Sequence, residues 1–249
     1  QQVNPHISAQ FQQPIYFPHL SNVRNPRLLQ SLICYLKQHP LVRFFEHCPI
    51  EKLMIQNKKV QGLQADDGRK FMADQLVLSS GAWSQQWQQQ IQRHIPVHPV
   101  QGQMLLFKNP ENWLPTMCMN QVMYLIPRQD GHIVCGSSMT ETGFSTVVDE
   151  HTQQDILTAC LEMVPELEQF PIVKRWAGLR PSSPHGIPYI GAMPELENLW
   201  ANFGHFRNGL WMGAGSARLL RQLMLRQDTL VDPNAYSPLR LKRQDLISC

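Results

Sequence analysis

The chain has 249 residues, and its 22 lysines and arginines against 19 aspartates and glutamates give a formal charge of +3 at pH 7. This length can bury a large core in one or two domains. A weak, unclustered positive charge argues against nucleic acid as a partner, and no apolar run is long enough to span a bilayer. The ten histidines and six cysteines, Cys249 among them, show no metal-binding spacing. The sequence therefore predicts reduced thiols, no metal site and a cytoplasmic location.

The first elements predicted are a strand, a helix and a second strand. The apolar run 15–17 predicts the first strand. Asn25-Pro26 marks a helix start, with asparagine as the N-cap and proline in the first helical position. Leucines at helical spacing extend this helix to Leu36. Residues 42–45 predict the second strand.

A hairpin and a strand–turn–helix unit follow. Residues 50–56 and 60–65 flank a polar turn and predict a hairpin, and Asp67-Gly68 predicts a further turn. The apolar run 76–78 ends in small residues and leads into a helical segment. This order is typical of a ligand-facing edge in an α/β sheet, although an ordinary βα loop accounts for it equally well.

From Pro96 onward the pattern is typical of a mainly antiparallel sheet with one helix. Residues 97–107 predict a long strand, and 124–136 predict a hairpin. Apolar residues at helical spacing predict a helix over 149–163. Residues 173–179 predict another strand.

The last third predicts a strand over 199–203, a glycine-rich turn and an amphipathic helix over 214–225. Beyond Asp232 the chain is polar and basic, which predicts a loose tail. The run Gly213-Ala214-Gly215 begins like a dinucleotide-binding fingerprint. However, Arg218 stands where the third glycine belongs, and the run lies inside a helical pattern. The sequence therefore contains no such fingerprint.

Two arginines in this region stand beside glycines, in WAGLRP at 176–181 and in GHFRNG at 204–209. Each guanidinium is a planar fork that can grip a carboxylate or phosphate with two hydrogen bonds, and neighbouring glycines allow a close approach of the backbone. A helical pattern follows the second motif directly, which favours a ligand at a helix N-terminus. Two interpretations remain open: a pair of buried structural arginines, or a site for an acid or a cofactor. The presence of both motifs favours the site.

Together with GIPYIG at 186–191, these motifs resemble the FAD-dependent D-amino-acid oxidase superfamily and, within it, the glycine oxidases. Supporting matches occur in the family's order at 45–50, 77–83, 100–103 and 124–128. The resemblance covers residues from about 14 to 226. The family begins with a βαβ unit that carries G-x-G-x-x-G, which this sequence lacks. Since it begins with Gln1 rather than methionine, the sequence resembles the C-terminal larger part of such an enzyme.

The resemblance implies a fold of class α/β plus α+β. A doubly wound FAD-binding domain, lacking its N-terminal βαβ unit, is interleaved with a mainly antiparallel-sheet substrate domain. The implied segments are a substrate-domain strand (1–20), a part of the FAD-binding domain (21–95), the substrate domain (96–176), a second part of the FAD-binding domain (177–228) and a C-terminal tail (229–249).

The resemblance also implies the site residues. Arg180 binds the substrate carboxylate, Tyr124 hydrogen-bonds the same acid, Met139 lines the pocket, and Arg207 faces the flavin and the substrate. From the residues alone, Tyr124 is more often a sheet-face aromatic, and Met139 is equally well a core methionine. Val122 stands where some members have a histidine, which alters the polarity of the pocket. The cofactor-binding residues implied are Ile50, Gly81, Ala82, Gly204, His205, Phe206, Arg207, Asn208, Gly209, Leu210 and Trp211.

The activity implied is oxidative deamination of glycine or a small amine, by hydride transfer to a non-covalent FAD, in thiamine thiazole synthesis. It needs no catalytic acid–base side chain and no metal. The partners are a small amino acid and molecular oxygen or another electron acceptor, and the family is compatible with a homo-oligomer. One alternative is an oxidase or dehydrogenase for sarcosine or a D-amino acid. Another is a truncated, non-catalytic chain that binds small carboxylates or a protein partner.

Overall fold

The structure, a computed structural model, describes residues 3–242. Cys249 and the rest of the predicted tail beyond residue 242 lie outside the described residues. The helices and strands are, in chain order, α1 (Asn25–Lys37), β1 (Ile50–Gln56), β2 (Lys59–Ala65), β3 (Lys70–Met72), β4 (Leu76–Leu78), β5 (His98–Lys108), β6 (Cys118–Met119), β7 (Tyr124–Arg128), β8 (His132–Gly136), α2 (Glu150–Met163), β9 (Ile172–Ser182), β10 (Tyr189–Ala192), β11 (Leu199–Phe203) and α3 (Gly209–Met224).

The chain divides into two compact units. Unit 1 takes the described residues up to Val23 together with Val100–Leu179, and unit 2 takes Arg24–Pro99 together with the described residues from Arg180 onward. The predicted segments end at 20, 95 and 176, whereas the units change at 23, 99 and 179. The function of each unit stays a prediction.

Unit 1 is built on a five-stranded sheet in the order β6-β7-β8-β5-β9. The β7–β8 hairpin and strand β5 pair antiparallel, as the sequence predicts. Helix α2 begins after Asp149, whose carboxylate accepts a hydrogen bond from Thr152 N at 2.7 Å, a regular N-cap. The buried positions Ile156, Cys160 and Met163 of α2 recur at helical spacing and belong to the same core cluster as the buried side chains of the sheet.

The predicted strand at 15–17 is wrong, because these residues pair with no neighbouring strand. Ile15, Tyr16 and Phe17 are 79%, 56% and 60% exposed. Pro14 and Pro18 flank the run, and proline donates no hydrogen bond to a ladder. Three apolar residues between two prolines therefore remain irregular.

Unit 2 contains two three-stranded sheets, with strand orders β1-β2-β3 and β10-β11-β4. The first is the predicted hairpin extended by β3, and all its pairs are antiparallel. In the second sheet, β11 pairs antiparallel with β10 and parallel with β4. Parallel pairing is the arrangement expected of an α/β sheet. The core lies around Leu53, Val60, Leu78, Leu199 and Phe203.

Several predictions for unit 2 need correction. Residues 42–45 form no strand, and the helical segment predicted after β4 is a 3₁₀ helix, Gly81–Trp87. Helix α1 begins at Asn25 with Arg24 as its N-cap, so asparagine is the first helical residue. Helix α3 begins at Gly209, five residues before the predicted 214. The glycines that weaken the apolar pattern of this segment lie within the first turns of α3.

Helix α1 contains no buried residue, although its apolar residues recur at helical spacing. Leu29, Leu32 and Tyr35 are 59%, 50% and 69% exposed. The sequence therefore predicts the helix correctly, but Leu29, Leu32 and Tyr35 are exposed while Ile33 and Leu36 are half-buried.

The predicted loose tail is wrong over residues 233–242. Pro238 and Leu241 are buried. The Arg240 guanidinium lies 4.5 Å from the centre of the Tyr189 ring and donates a hydrogen bond to Pro188 O at 2.7 Å. A cation over an aromatic face, together with a buried leucine, fixes this segment to unit 2.

Five cysteines among residues 3–242 are free thiols, and three of them, Cys118, Cys135 and Cys160, are buried in unit 1. Burial raises the pKa of the Cys118 thiol to about 11, so it is an unreactive neutral thiol at pH 7. Within the same residues, no three metal-ligating side chains lie close enough together to hold an ion. None of the helices described has the length and apolar composition that a membrane span needs.

Candidate functional site

Arg180 and Pro181, the end of the first arginine motif, lie beside the second motif in unit 2. Phe206 N donates a hydrogen bond to Pro181 O at 2.9 Å. Ser183, which is 5% exposed, places its Oγ 2.6 Å from Gly204 O and 3.0 Å from Ile187 O. Residues far apart in sequence are thereby joined at one place, and Arg180, half-buried at the end of β9, stands directly before this junction.

Gly204 is required at the junction for two reasons. Its φ of +81° lies in the left-handed region that favours glycine. A Cβ there would also lie 3.2 Å from Ser183 Cβ and 3.3 Å from Val97 Cγ2. A side chain there would therefore strain the backbone and crowd Ser183 and Val97.

His205 fixes the junction to α3, because its Nε2 lies 2.9 Å from Ser216 Oγ. Burial lowers the pKa of His205 from its ordinary value of 6.5. The neutral imidazole is therefore the state that the fold favours.

We expect the free energy of unfolding to decrease as the pH falls below about 6.5, in part because of His205. The unfolded histidine takes up a proton at a higher pH than the folded one, so its contribution is complete above its ordinary pKa and declines below it. Urea unfolding between pH 5 and 8 should show a shallower pH dependence for His205→Gln than for the parent chain. His151→Gln, at a side chain that is 88% exposed, is the control. Equal slopes in all three proteins would contradict this assignment.

The N-terminus of α3 forms the next part of the site. No side chain caps it, and its first turn holds no acidic residue. Its unpaired N–H groups and helix dipole favour an anion. Arg207 is exposed just before the helix, and Leu210 and Trp211 in its first turn are 42% and 78% exposed. An exposed aromatic beside a positive helix end fits a flat, electron-accepting ring such as a flavin.

The other predicted cofactor residues lie elsewhere in unit 2. Ile50 is half-buried at the start of β1. Gly81 opens the 3₁₀ helix with φ of +55°, and no atom lies within 4 Å of the position that a Cβ would take. Ala82 is 2% exposed. Thus Gly81 leaves its backbone accessible to a ligand, whereas the Ala82 side chain points into the protein.

Tyr124 and Met139 belong to unit 1. Tyr124 is half-buried, and its hydroxyl donates to Met104 Sδ at 3.5 Å. Tyr124 on β7 and Met104 on β5 are both paired with Gly136 on β8, so the three residues form one row across the sheet. Met139 follows three residues after Gly136 and is 57% exposed. Val122 is 70% exposed.

Gly136 leaves the space that the Met104 side chain fills. A Cβ at this glycine would lie 2.4 Å from Met104 Sδ and 3.0 Å from its Cε. We expect Gly136→Ala to displace the thioether from the Tyr124 hydroxyl and to lower the free energy of unfolding by about 1–2 kcal/mol, a typical cost of overpacking. Gly178→Ala on β9, where nothing lies within 4 Å, is the matched control in a urea titration. Equal stability of the two variants would show that Met104 yields without cost.

Sequence reasoning missed Ser183 and Met104. Ser183 follows the first arginine motif, and nothing in the sequence except its hydroxyl group indicates that it hydrogen-bonds to Gly204. Met104 lies in a strand where an apolar residue is expected in any case. Neither contact is local, so only the fold reveals them.

Comparisons with known proteins identify the family of the chain. Residues 1–223 match the family model "FAD dependent oxidoreductase". The chain is 42% identical to a glycine oxidase of Pseudomonas putida over 234 residues, which are 94% of this chain and 64% of that protein. It is 30% identical to the bifunctional protein ThiO/ThiG of Nostoc sp. over 76% of its length, covering 29% of that protein.

A solved structure of the same family has a similar fold. The crystal structure of glycine oxidase from Geobacillus kaustophilus superposes with a TM-score of 0.73 at 27% identity, covering 79% of this chain and 53% of that chain. The chain therefore spans less than two thirds of the length of these relatives. Their shared fold is the α/β FAD-binding fold with an antiparallel sheet that the sequence predicts. With nine tenths of its length inside the family model, this chain belongs to the FAD-dependent oxidoreductases.

Proposed function

We propose that this chain is part of an enzyme that oxidatively deaminates glycine or a similarly small amino acid or amine. The observation that carries the proposal is the junction of the two arginine motifs, which holds Arg180 beside the 204–209 turn. The likeness to glycine oxidases supports this substrate class. The likeness to a ThiO/ThiG protein supports a role in thiamine thiazole synthesis. The cytoplasmic location that the sequence predicts is proposed with it.

Arg180 is proposed to bind the substrate carboxylate. A bidentate guanidinium holds a planar anion in one orientation, which converts binding energy into alignment of the substrate Cα–H. In unit 1, Tyr124 is proposed to hydrogen-bond the substrate acid and Met139 to line the pocket.

The residues present fit the FAD that the family requires. The proposed contacts are the 204–211 segment and α3 N-terminus for the ring, and the backbone of Ile50, Gly81 and Ala82 for the adenosine and pyrophosphate end. FAD supplies the two-electron oxidation when it is bound. The protein supplies orientation through Arg180 and, through the positive end of α3, favours negative charge at the ring. No acid–base side chain is required, and molecular oxygen or another acceptor completes the turnover.

A second candidate is a chain that binds small carboxylates or a protein partner without catalysis. Arg180 supports it, because a guanidinium can bind a carboxylate without a flavin. The two candidates share Arg180 but differ in flavin binding.

A visible absorption spectrum of the purified chain separates the candidates. Flavin bands, present as isolated or after addition of FAD, followed by glycine-dependent oxygen consumption, are expected for the enzyme. Bands with glycine-dependent reduction of a dye, and no oxygen uptake, would indicate a dehydrogenase. A colourless chain that stays colourless with FAD, yet binds glycine in calorimetry, would instead support the non-catalytic candidate.

A further inference from the structure

Residues 137–149 of unit 1, here termed the 137–149 loop, connect β8 to α2. The loop forms neither helix nor strand, and its one ladder contact is an isolated bridge between Thr140 and Gln101. It contains Met139 near its start and ends at Asp149, the N-cap of α2. Loops that carry functional residues need a rigid scaffold to hold them in place.

Three buried glutamines, here termed the glutamine triad, lie under this loop. Gln101, Gln103 and Gln153 are 1%, 1% and 2% exposed. Gln103 Nε2 donates to Gln101 Oε1 at 2.9 Å, and Gln153 Nε2 donates to Gln103 Oε1 at 2.9 Å. Gln103 is therefore the central member, joined to both others through its side-chain amide.

Gln101 and Gln103 contact the loop through their side-chain amides at Ser145, Val147 and Asp149, and through their main chain at Ser138 and Thr140. Gln101 Nε2 donates to Ser145 O at 2.8 Å and to Val147 O at 3.2 Å. The backbone groups of Gln101 and Thr140 exchange two hydrogen bonds, of 2.8 and 3.1 Å. Gln103 N donates to Ser138 Oγ at 2.9 Å, and Gln103 Oε1 accepts from Asp149 N at 3.1 Å.

This arrangement is poorly explained as a source of stability. Gln153 Oε1 is buried without a hydrogen-bond partner, which costs free energy in a protein interior. The face of β5 that begins with Gln101 and Gln103 continues with the core residues Leu105 and Phe107. Apolar side chains would fill the same face without a polar network, but they could not hold the loop carbonyls.

Strand β5 also connects the loop with Tyr124. Side chains alternate along a strand, so Met104, which accepts the Tyr124 hydrogen bond, projects from the opposite face to Gln103. We propose that Gln103, through its side-chain hydrogen bonds to Gln101 and to Asp149 N, is a positioning residue that fixes the 137–149 loop and with it Met139. Its consequence for catalysis rests on the proposed function, because it requires Met139 to line the substrate pocket.

Hydrogen exchange of the purified chain tests the proposal without relying on activity. Gln103→Met is expected to accelerate exchange in the 137–149 loop by about tenfold or more, because a buried hydrogen-bonded anchor is lost, while β7 and β8 stay protected. Gln153→Met, an equally buried control that leaves the loop contacts of Gln101 and Gln103 in place, should change loop exchange by less than about twofold. If Gln103→Met does not fold, the double variant Gln103→Met/Gln153→Met is measured, since it leaves fewer buried amides unpaired.

Kinetics of the flavin-loaded enzyme give the second readout. Gln103→Met is expected to raise KM for glycine, because Met139 is held less firmly in the wall of the substrate pocket. The value of kcat should stay within about twofold, because the substitution leaves the flavin site unchanged. Unchanged loop exchange overturns the proposal, as does faster exchange with an unchanged KM. Equal acceleration by Gln153→Met overturns it as well. If the parent enzyme does not oxidise glycine, the proposed function fails, and the exchange experiment alone decides the positioning role.

Discussion

Replacing Arg180 by alanine is expected to raise KM for glycine by about 100-fold, because the loss of a charge-assisted bidentate pair costs about 3 kcal/mol. Arg180 stands at the end of β9, directly before the hydrogen bond from Phe206 to Pro181. Its backbone is therefore fixed by the junction, and truncation of its side chain removes the guanidinium without releasing the turn. The measurement is steady-state oxygen consumption by the flavin-loaded enzyme over a range of glycine concentrations.

Two further variants make this result specific. Arg180→Lys should recover only part of the loss, because an ammonium group is a point charge and cannot form the planar fork. Arg175→Ala removes an exposed arginine from the same strand and should leave KM unchanged. If Arg180→Ala also leaves KM unchanged while the enzyme turns over, the carboxylate must be bound elsewhere, and Arg180 is a structural arginine.

Local chemistry accounts for the elements that the sequence predicts correctly. The β1–β2 hairpin follows from its polar turn, and α2 follows from the Asp149 cap together with its apolar spacing. The failures have local reasons too. Two prolines exclude a ladder at 15–17, and the glycines near the start of α3 hide five helical residues from a pattern that counts apolar side chains.

The site could be predicted only in part, because its geometry depends on non-local contacts. The two arginine motifs are visible in the sequence, but the Ser183 hydroxyl that ties Gly204 to the first of them is not. The same holds for α1, whose spacing predicts a helix but cannot show that none of its residues is fully buried. Gln101 and Gln103 resemble ordinary strand positions until the fold places the 137–149 loop over them.

Asn198→Ala is expected to lower the free energy of unfolding by about 3 kcal/mol, because it leaves buried backbone groups unpaired. Asn198 is 2% exposed and lies just before β11. Its Oδ1 accepts from Val60 N at 2.8 Å, and its Nδ2 donates to Val60 O at 2.7 Å and to Asp74 O at 2.9 Å. Val60 is fully buried. One amide thus connects β2, in the first sheet of unit 2, with the segments that precede β11 and β4 in the second.

Urea unfolding of three variants tests this assignment. Asn234→Ala, at an exposed position, should change stability by less than about 0.5 kcal/mol. Asn198→Asp keeps the acceptor but replaces both donors by a carboxylate that faces two carbonyl oxygens, which raises the pKa of the new carboxyl group in the folded state. Because the unfolded carboxyl titrates near 4, Asn198→Asp should lose stability as the pH rises above that value and regain it on acidification. A cost for Asn198→Ala no larger than for Asn234→Ala would mean that water replaces the amide, and that the two sheets of unit 2 do not depend on it.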